Sequence, residues 1–237
     1  MINDYQIGAF RGRKLKQRKG VIGGARSVFV KLQGIKNELT YPTFGGKIMN
    51  PFKGAAKMFA GDLLEYRTDE NGMKPKIYIL KTYKVAKATT TASNVTIVRS
   101  EYSHIPFVGD KIGSAPTSIG GAMTELTVNK VEAKNDSDGN PIWELTLSAT
   151  ASFKLGEVLV EGDGSGKMMV KNINAVADAD MDMLDAPSTS DEDFEGARYL
   201  YTPSLGGVMY INRMSPMPAC VLAKNESKVK GWFKIQF

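Results

Sequence analysis

Residues 122–149 read AMTELTVNKVEAKNDSDGNPIWELTLSA, and the two halves of that stretch mirror each other. AMTELTVNKVEA at 122–133 alternates apolar and polar side chains, and PIWELTLSA at 141–149 does so again. Successive side chains of a strand point to opposite faces, so a period of two marks a half-buried β-strand. Between the halves lies Asp136-Ser-Asp-Gly-Asn140. Short side chains that accept hydrogen bonds, followed by a glycine free to adopt positive φ, form a hairpin turn. The stretch therefore predicts an antiparallel hairpin.

The same character extends outward. KIYILKTYKVAK at 76–87 opens with an apolar run and then roughly alternates, rich in β-branched and aromatic residues. Thr89, Thr90, Thr91, Ser93 and Asn94 read as a polar link before VTIVR at 95–99. Pro106 and Gly109-Asp110 punctuate the next stretch, and GEVLVEG at 156–162 and KMMVKNI at 167–173 read as further strands. Strands of this length and spacing indicate a small β-barrel or sandwich over residues 59–173. Residues 174–198 are acidic and read as a linker or loop, in which DADMDMLD could form one turn of helix. Residues 199–237 regain strand character at YLYTP, GGVMYINR, ACVLAKN and GWFKIQF, a β-rich C-terminal segment.

Residues 1–58 differ. They carry 12 Lys/Arg against 2 Asp/Glu, a local net of +10, whereas residues 161–196 carry 10 acids against 2 bases, a net of −8. Arg11, Arg13, Lys14, Lys16, Arg18 and Lys19 crowd into nine positions, followed by repeated glycines and scattered phenylalanines. Like charges and permissive backbone disfavour a self-standing core. The expectation is an extended basic arm over 1–58 that orders on a partner, by contact with an acidic protein surface or with phosphates. An acidic protein surface is favoured over nucleic acid, because residues 11–19 lack the interleaved aromatics that base stacking needs. Trp232, Phe233, Ile235 and Phe237 place four large apolar side chains on one short stretch, which suggests an oligomer interface.

Catalytic and ligand motifs fare poorly. EGDGSGKM at 161–168 has the outline of a phosphate-binding loop, but Glu161 stands where its first glycine belongs and Met168 where Ser or Thr must follow the lysine. A glycine-rich turn between strands fits better. Asp178, Asp180, Asp182 and Asp185 are spaced to suggest calcium, yet Met183 and Thr189 occupy the loop's glycine and glutamate positions. A solvated acidic loop is the plainer reading, with a different cation site as the alternative. His104 is the single histidine and Cys220 the single cysteine, which precludes an intrachain disulfide and a thiolate cluster within one chain. No nucleophile-elbow motif occurs, and His104 in YSHIP reads as a strand end before proline. No catalytic residue, metal or cofactor is expected. The 42% hydrophobic content suits a soluble globular chain, and no run approaches the roughly 18 apolar residues of a membrane helix. MINDYQIGAF lacks a basic-then-apolar leader, so assembly in the cytoplasm is expected.

Four pieces carry a family resemblance: AGDLLEY at 60–66, KTYKVAKATT at 81–90, YSHIPFVGDKI at 102–112 and LTLSATASFKLGEVLVEGDGSG at 145–166. In this order they resemble the head fibre and auxiliary capsid (decoration) proteins of tailed bacteriophages, especially phages of Bacteroides-like hosts and the crAss-like group. The resemblance covers about half the chain. It implies a virion protein assembled in the host cytoplasm, attached to the major capsid protein and oligomeric, with a trimer favoured because such proteins often occupy threefold positions. Other head proteins are possible further partners. It implies no catalytic residues. The rival readings are a nucleic-acid-binding β module using the basic arm, and a carbohydrate-binding or enzymatic domain on the virion surface.

Overall fold

The computed structural model describes residues 46–52, 56–67, 76–177, 181–183, 200–201, 206–210, 214–222 and 232–236, with three two-residue strands between 21 and 30. The protein is mainly β. The hairpin forms as expected: Leu126–Asn135 pairs antiparallel with Pro141–Phe153, and the turn is closed by Asp136, whose Oδ1 accepts the backbone N–H groups of Asp138 and Asn140. These strands sit in a six-stranded antiparallel sheet. Its order is Thr82–Lys84, Val158–Glu161, Lys111–Ser114, Leu126–Asn135, Pro141–Phe153 and Thr89–Val98. A single bridge, Val85 to Ile97, draws the two outer strands together without a ladder, so the sheet curls but does not close into a barrel. Its concave face buries Tyr83, Val95, Ile97, Ile112, Val128, Leu145 and Leu159.

A second sheet of five strands runs Ala175–Val176, Leu63–Arg67, Lys76–Ile79, Gly46–Ile48 and Leu200–Tyr201. It is antiparallel except where Gly46–Ile48 lies parallel to Lys76–Ile79. Ile48, Phe52, Leu64, Ile77 and Ile79 pack on it. A third cluster, with Leu63, Leu80, Val160, Ile173, Val176 and Val221, draws residues from both sheets.

One local device starts a strand three times. In Phe59–Asp62, Phe107–Asp110 and Lys154–Glu157 the third residue is a glycine at φ +96°, +91° and +77°. The fourth is an acid whose carboxylate accepts the N–H of the first residue at 2.8, 2.9 and 2.7 Å, while its own N–H returns to that residue's carbonyl. Positive φ at the third position is the requirement of a type II turn. The strands Leu63–Arg67, Lys111–Ser114 and Val158–Glu161 follow at once.

Several expectations are corrected. KIYILKTYKVAK is two strands in different sheets, because the chain crosses between them at Leu80-Lys81. Thr89 to Asn94 are strand, not link: threonine suits an exposed pleated surface, and the long Pro141–Phe153 strand supplies the partner. KMMVKNI makes only isolated bridges, since side chains satisfy its backbone; Arg67 donates to the Met169 carbonyl and Glu65 accepts the Lys171 N–H. Met181–Met183 is a strand paired with Ala56–Met58 rather than a helical turn, and Ala219–Leu222 is helix rather than strand.

Parts of the stretch expected as an arm, 1–58, are folded into sheets. Gly46–Ile48 and Ala56–Met58 are paired in sheets, Phe52 is buried, and Phe29–Val30 pairs with Gly206–Tyr210. Likewise Ala175–Val176 belongs to the five-stranded sheet rather than to a linker, because both residues are buried apolar groups, Ala175 in the cluster of that sheet and Val176 in the cluster shared by both sheets. Gly113 tests the curl of the large sheet. A Cβ there would fall against the Thr124 carbonyl oxygen, a backbone atom that cannot swing away. Gly113→Ala is expected to destabilise the protein by about 1–3 kcal/mol, read as a lower urea midpoint at unchanged slope.

Candidate functional site

The seam between the sheets holds two buried polar clusters. The first centres on His104, which is 1% exposed. Thr82, the first residue of its strand, donates its backbone N–H to His104 Nδ1 at 2.9 Å. A ring nitrogen that accepts carries no proton, so the neutral imidazole is protonated at Nε2. Nε2 faces Ser215 Oγ at 2.9 Å and Asp62 Oδ1 at 3.2 Å, and Ser215 Oγ donates to the same Asp62 oxygen at 3.0 Å. Asp62 arrives on the Phe59–Asp62 turn, which uses its other oxygen.

Ser, His and Asp thus meet, although sequence motifs give no sign of it. Their arrangement is wrong for nucleophilic catalysis. A serine nucleophile needs an unprotonated imidazole nitrogen facing its hydroxyl and a carboxylate on the other nitrogen. Here serine and carboxylate crowd one protonated nitrogen, and a backbone amide occupies the other. The cluster ties Thr82, Asp62 and Ser215 across the seam.

The second cluster joins Asn50, Lys81 and Glu161, all buried. Asn50 imitates a strand partner: its Oδ1 accepts the Ile79 N–H at 2.7 Å and its Nδ2 donates to the Ile79 carbonyl at 2.9 Å. The second Nδ2 hydrogen goes to Glu161 Oε2 at 2.7 Å. Lys81 Nζ lies 3.0 Å from Glu161 Oε1, donates to the Pro51 carbonyl at 3.2 Å and stands 5.2 Å from the centre of the Phe52 ring. Burial pushes the Glu161 carboxyl above its usual range, against the opposing pull of Lys81 and of the Asn50 hydrogen bond. The Tyr83 phenol is raised too, first by burial and then by the charges of Asp110 and Glu161. A cavity of about 340 Å³ opens over this cluster, lined by Phe52, Asp110, Lys111 and Asp163. A second, of about 870 Å³, lies by Arg99, Tyr102 and Leu155. Each presents one aromatic ring, Phe52 in the first and Tyr102 in the second.

Arg11, Arg13, Lys14, Lys16, Arg18 and Lys19 lie outside the described residues, as do Asp178, Asp180, Asp185 and Phe237. Trp232, Phe233 and Ile235 fall on the strand Trp232–Gln236, parallel to Gly206–Tyr210, and Asp182 falls on Met181–Met183. Among the described residues no three His, Cys, Asp or Glu side chains group to hold a metal, and no helix is long and apolar enough to cross a membrane. Cys220 is a free thiol buried in the shared apolar cluster. EGDGSGKM forms a glycine turn, closed by the Asp163 N–H to the Lys167 carbonyl. Comparison of the chain with protein-family models, curated proteins and solved structures returned no match.

If His104 is a structural tie, His104→Ala should leave the Thr82 N–H and the Asp62 carboxylate short of a partner. The expected cost is about 1–3 kcal/mol. Ser215→Ala removes one hydroxyl and should cost about 0.5–1.5 kcal/mol. Chemical denaturation of both variants measures the difference.

Proposed function

We propose that this protein is a non-enzymatic structural component of the virion, a head fibre or auxiliary capsid protein of a tailed phage. Its partners would be the major capsid protein, further copies of itself as a homotrimer, and possible neighbouring head proteins. The observation that carries this reading is the segregation of charge: +10 over residues 1–58 and −8 over residues 161–196. A basic stretch carried by a β protein suits adhesion to an acidic protein surface. The buried polar groups of the seam support a structural role, because they are consumed in holding two sheets together. The likeness of AGDLLEY, FVGDKI and LGEVLV to head fibre turns points the same way.

Trimerisation would draw on the β region and on Trp232, Phe233, Ile235 and Phe237. Among the described residues Trp232–Gln236 is an outer strand of its three-stranded sheet, and an outer strand can pair with another chain. The reading assigns different work to the two ends. Removing residues 1–20, which hold all six clustered cations, should abolish co-sedimentation with capsids and spare the oligomer. Removing residues 231–237 should lower the oligomeric state in light scattering. The opposite pattern would reverse the two assignments. DNA binding with a steep salt dependence, lost with residues 1–20, would favour the nucleic-acid reading instead.

A further inference from the structure

We propose that Lys81 and Asn50 react with each other to form an intramolecular isopeptide cross-link, with Glu161 as the proton shuttle. The geometry sets three groups in the roles such a step needs. Lys81 is the nucleophile, an amine enclosed beside the Phe52 ring and the Pro51 carbonyl. The Asn50 carboxamide is the electrophile. Its oxygen accepts a 2.7 Å hydrogen bond from the Ile79 N–H, a fixed donor that stabilises negative charge as it develops there. Glu161 holds the amine on one oxygen, at 3.0 Å, and the amide nitrogen on the other, at 2.7 Å. One carboxyl group thus touches both the nitrogen that must lose a proton and the nitrogen that must gain one.

The step balances without an added reagent. Within the buried pair Lys81 passes a proton to Glu161, leaving a neutral amine and a carboxylic acid. The amine lone pair attacks Asn50 Cγ, forming the Nζ–Cγ bond and moving an electron pair onto Oδ1. Glu161 gives its proton to Nδ2 and takes one from Nζ. The Cγ–Nδ2 bond breaks, the carbonyl re-forms and ammonia leaves. Nothing is oxidised or reduced, and Glu161 ends as the acid it was at the moment of attack. Burial raises the proton affinity of the Glu161 carboxyl, which suits it to accept that proton.

The surroundings close the competing route. Asparagine ordinarily loses ammonia through attack by the following backbone nitrogen, but residue 51 is proline and has no N–H to give up. The link would also have a physical use. Asn50 stands beside the five-stranded sheet and Lys81 at the crossing into the six-stranded one, so the bond would clamp the seam covalently in a chain with one cysteine. Closing a loop of the unfolded chain stabilises the folded one, as a disulfide does.

Intact-mass measurement on the folded full-length protein tests this. The mass should be lower than that of the sequence by one ammonia, and a protease digest should contain a branched peptide joining the segments of Asn50 and Lys81. Lys81→Arg keeps the cation beside Glu161 but does not attack, and should retain the full mass; Glu161→Gln should too. A folded wild-type protein at full sequence mass, with both segments recovered as separate linear peptides, would overturn the proposal. So would loss of ammonia mapped to another residue, or a link that persists in Lys81→Arg.

Discussion

Between Ile79 and Thr82 the chain leaves one sheet and enters another, and four successive backbone N–H groups must be satisfied away from a regular ladder. Buried amides without partners are too costly to tolerate. Leu80 and Lys81 find carbonyls, of Leu63 and Ile79. Ile79 and Thr82 find side chains, Asn50 and His104. Each of those brings further demands. His104, accepting at Nδ1, must donate at Nε2, and Asp62 and Ser215 meet that need. Asn50 has an amide hydrogen left over, and Glu161 takes it. A buried carboxyl calls for a cation, which Lys81 supplies from the crossing itself. Both polar clusters thus follow from one bend in the backbone. A buried ion pair is weak support for stability by itself, but removing one partner is costly.

The repeated glycine–acid turn is the second organising feature. In each copy one carboxylate oxygen closes the turn. In Asp62 the other oxygen reaches the seam and meets His104 and Ser215. A single residue thereby starts a strand and anchors the junction of two sheets. Glu157, in the copy at 154–157, closes its turn in the same way at an exposed position. The device is local chemistry, and its position in the fold decides whether it does more.

Much of this fold was legible in the sequence because its signals are local. Alternation in 122–133 and 141–149, with Asp136 and Gly139 between, predicts the hairpin that the structure contains. Reading failed where tertiary partners overrode local pattern. The run 76–87 looks like one strand, and only the destinations of its hydrogen bonds divide it at Leu80. Thr89 to Asn94 look like a loop until the length of Pro141–Phe153 is known. KMMVKNI has strand composition, but Arg67 and Glu65 reach its backbone first. The polar clusters were hidden for a similar reason. Asn50, Lys81 and Glu161 are distant in sequence and belong to no motif. The one available hint was a lysine and a glutamate set among apolar strand residues, in ILKTY and LVEG.

The three-stranded sheet has a temporal consequence. Phe29–Val30 pairs with Gly206–Tyr210, which also pairs with Trp232–Gln236. Val30 therefore meets Val208 only after the ribosome has passed residue 208. Contacts so distant in sequence form late and slowly. The hairpin at 126–153 can close much earlier, on its own residues. During synthesis the segment near residue 30 consequently waits, unpaired, while the body of the molecule takes shape. Any surface that includes this small sheet is completed last, which delays assembly through it until the sheet-forming body is already in place.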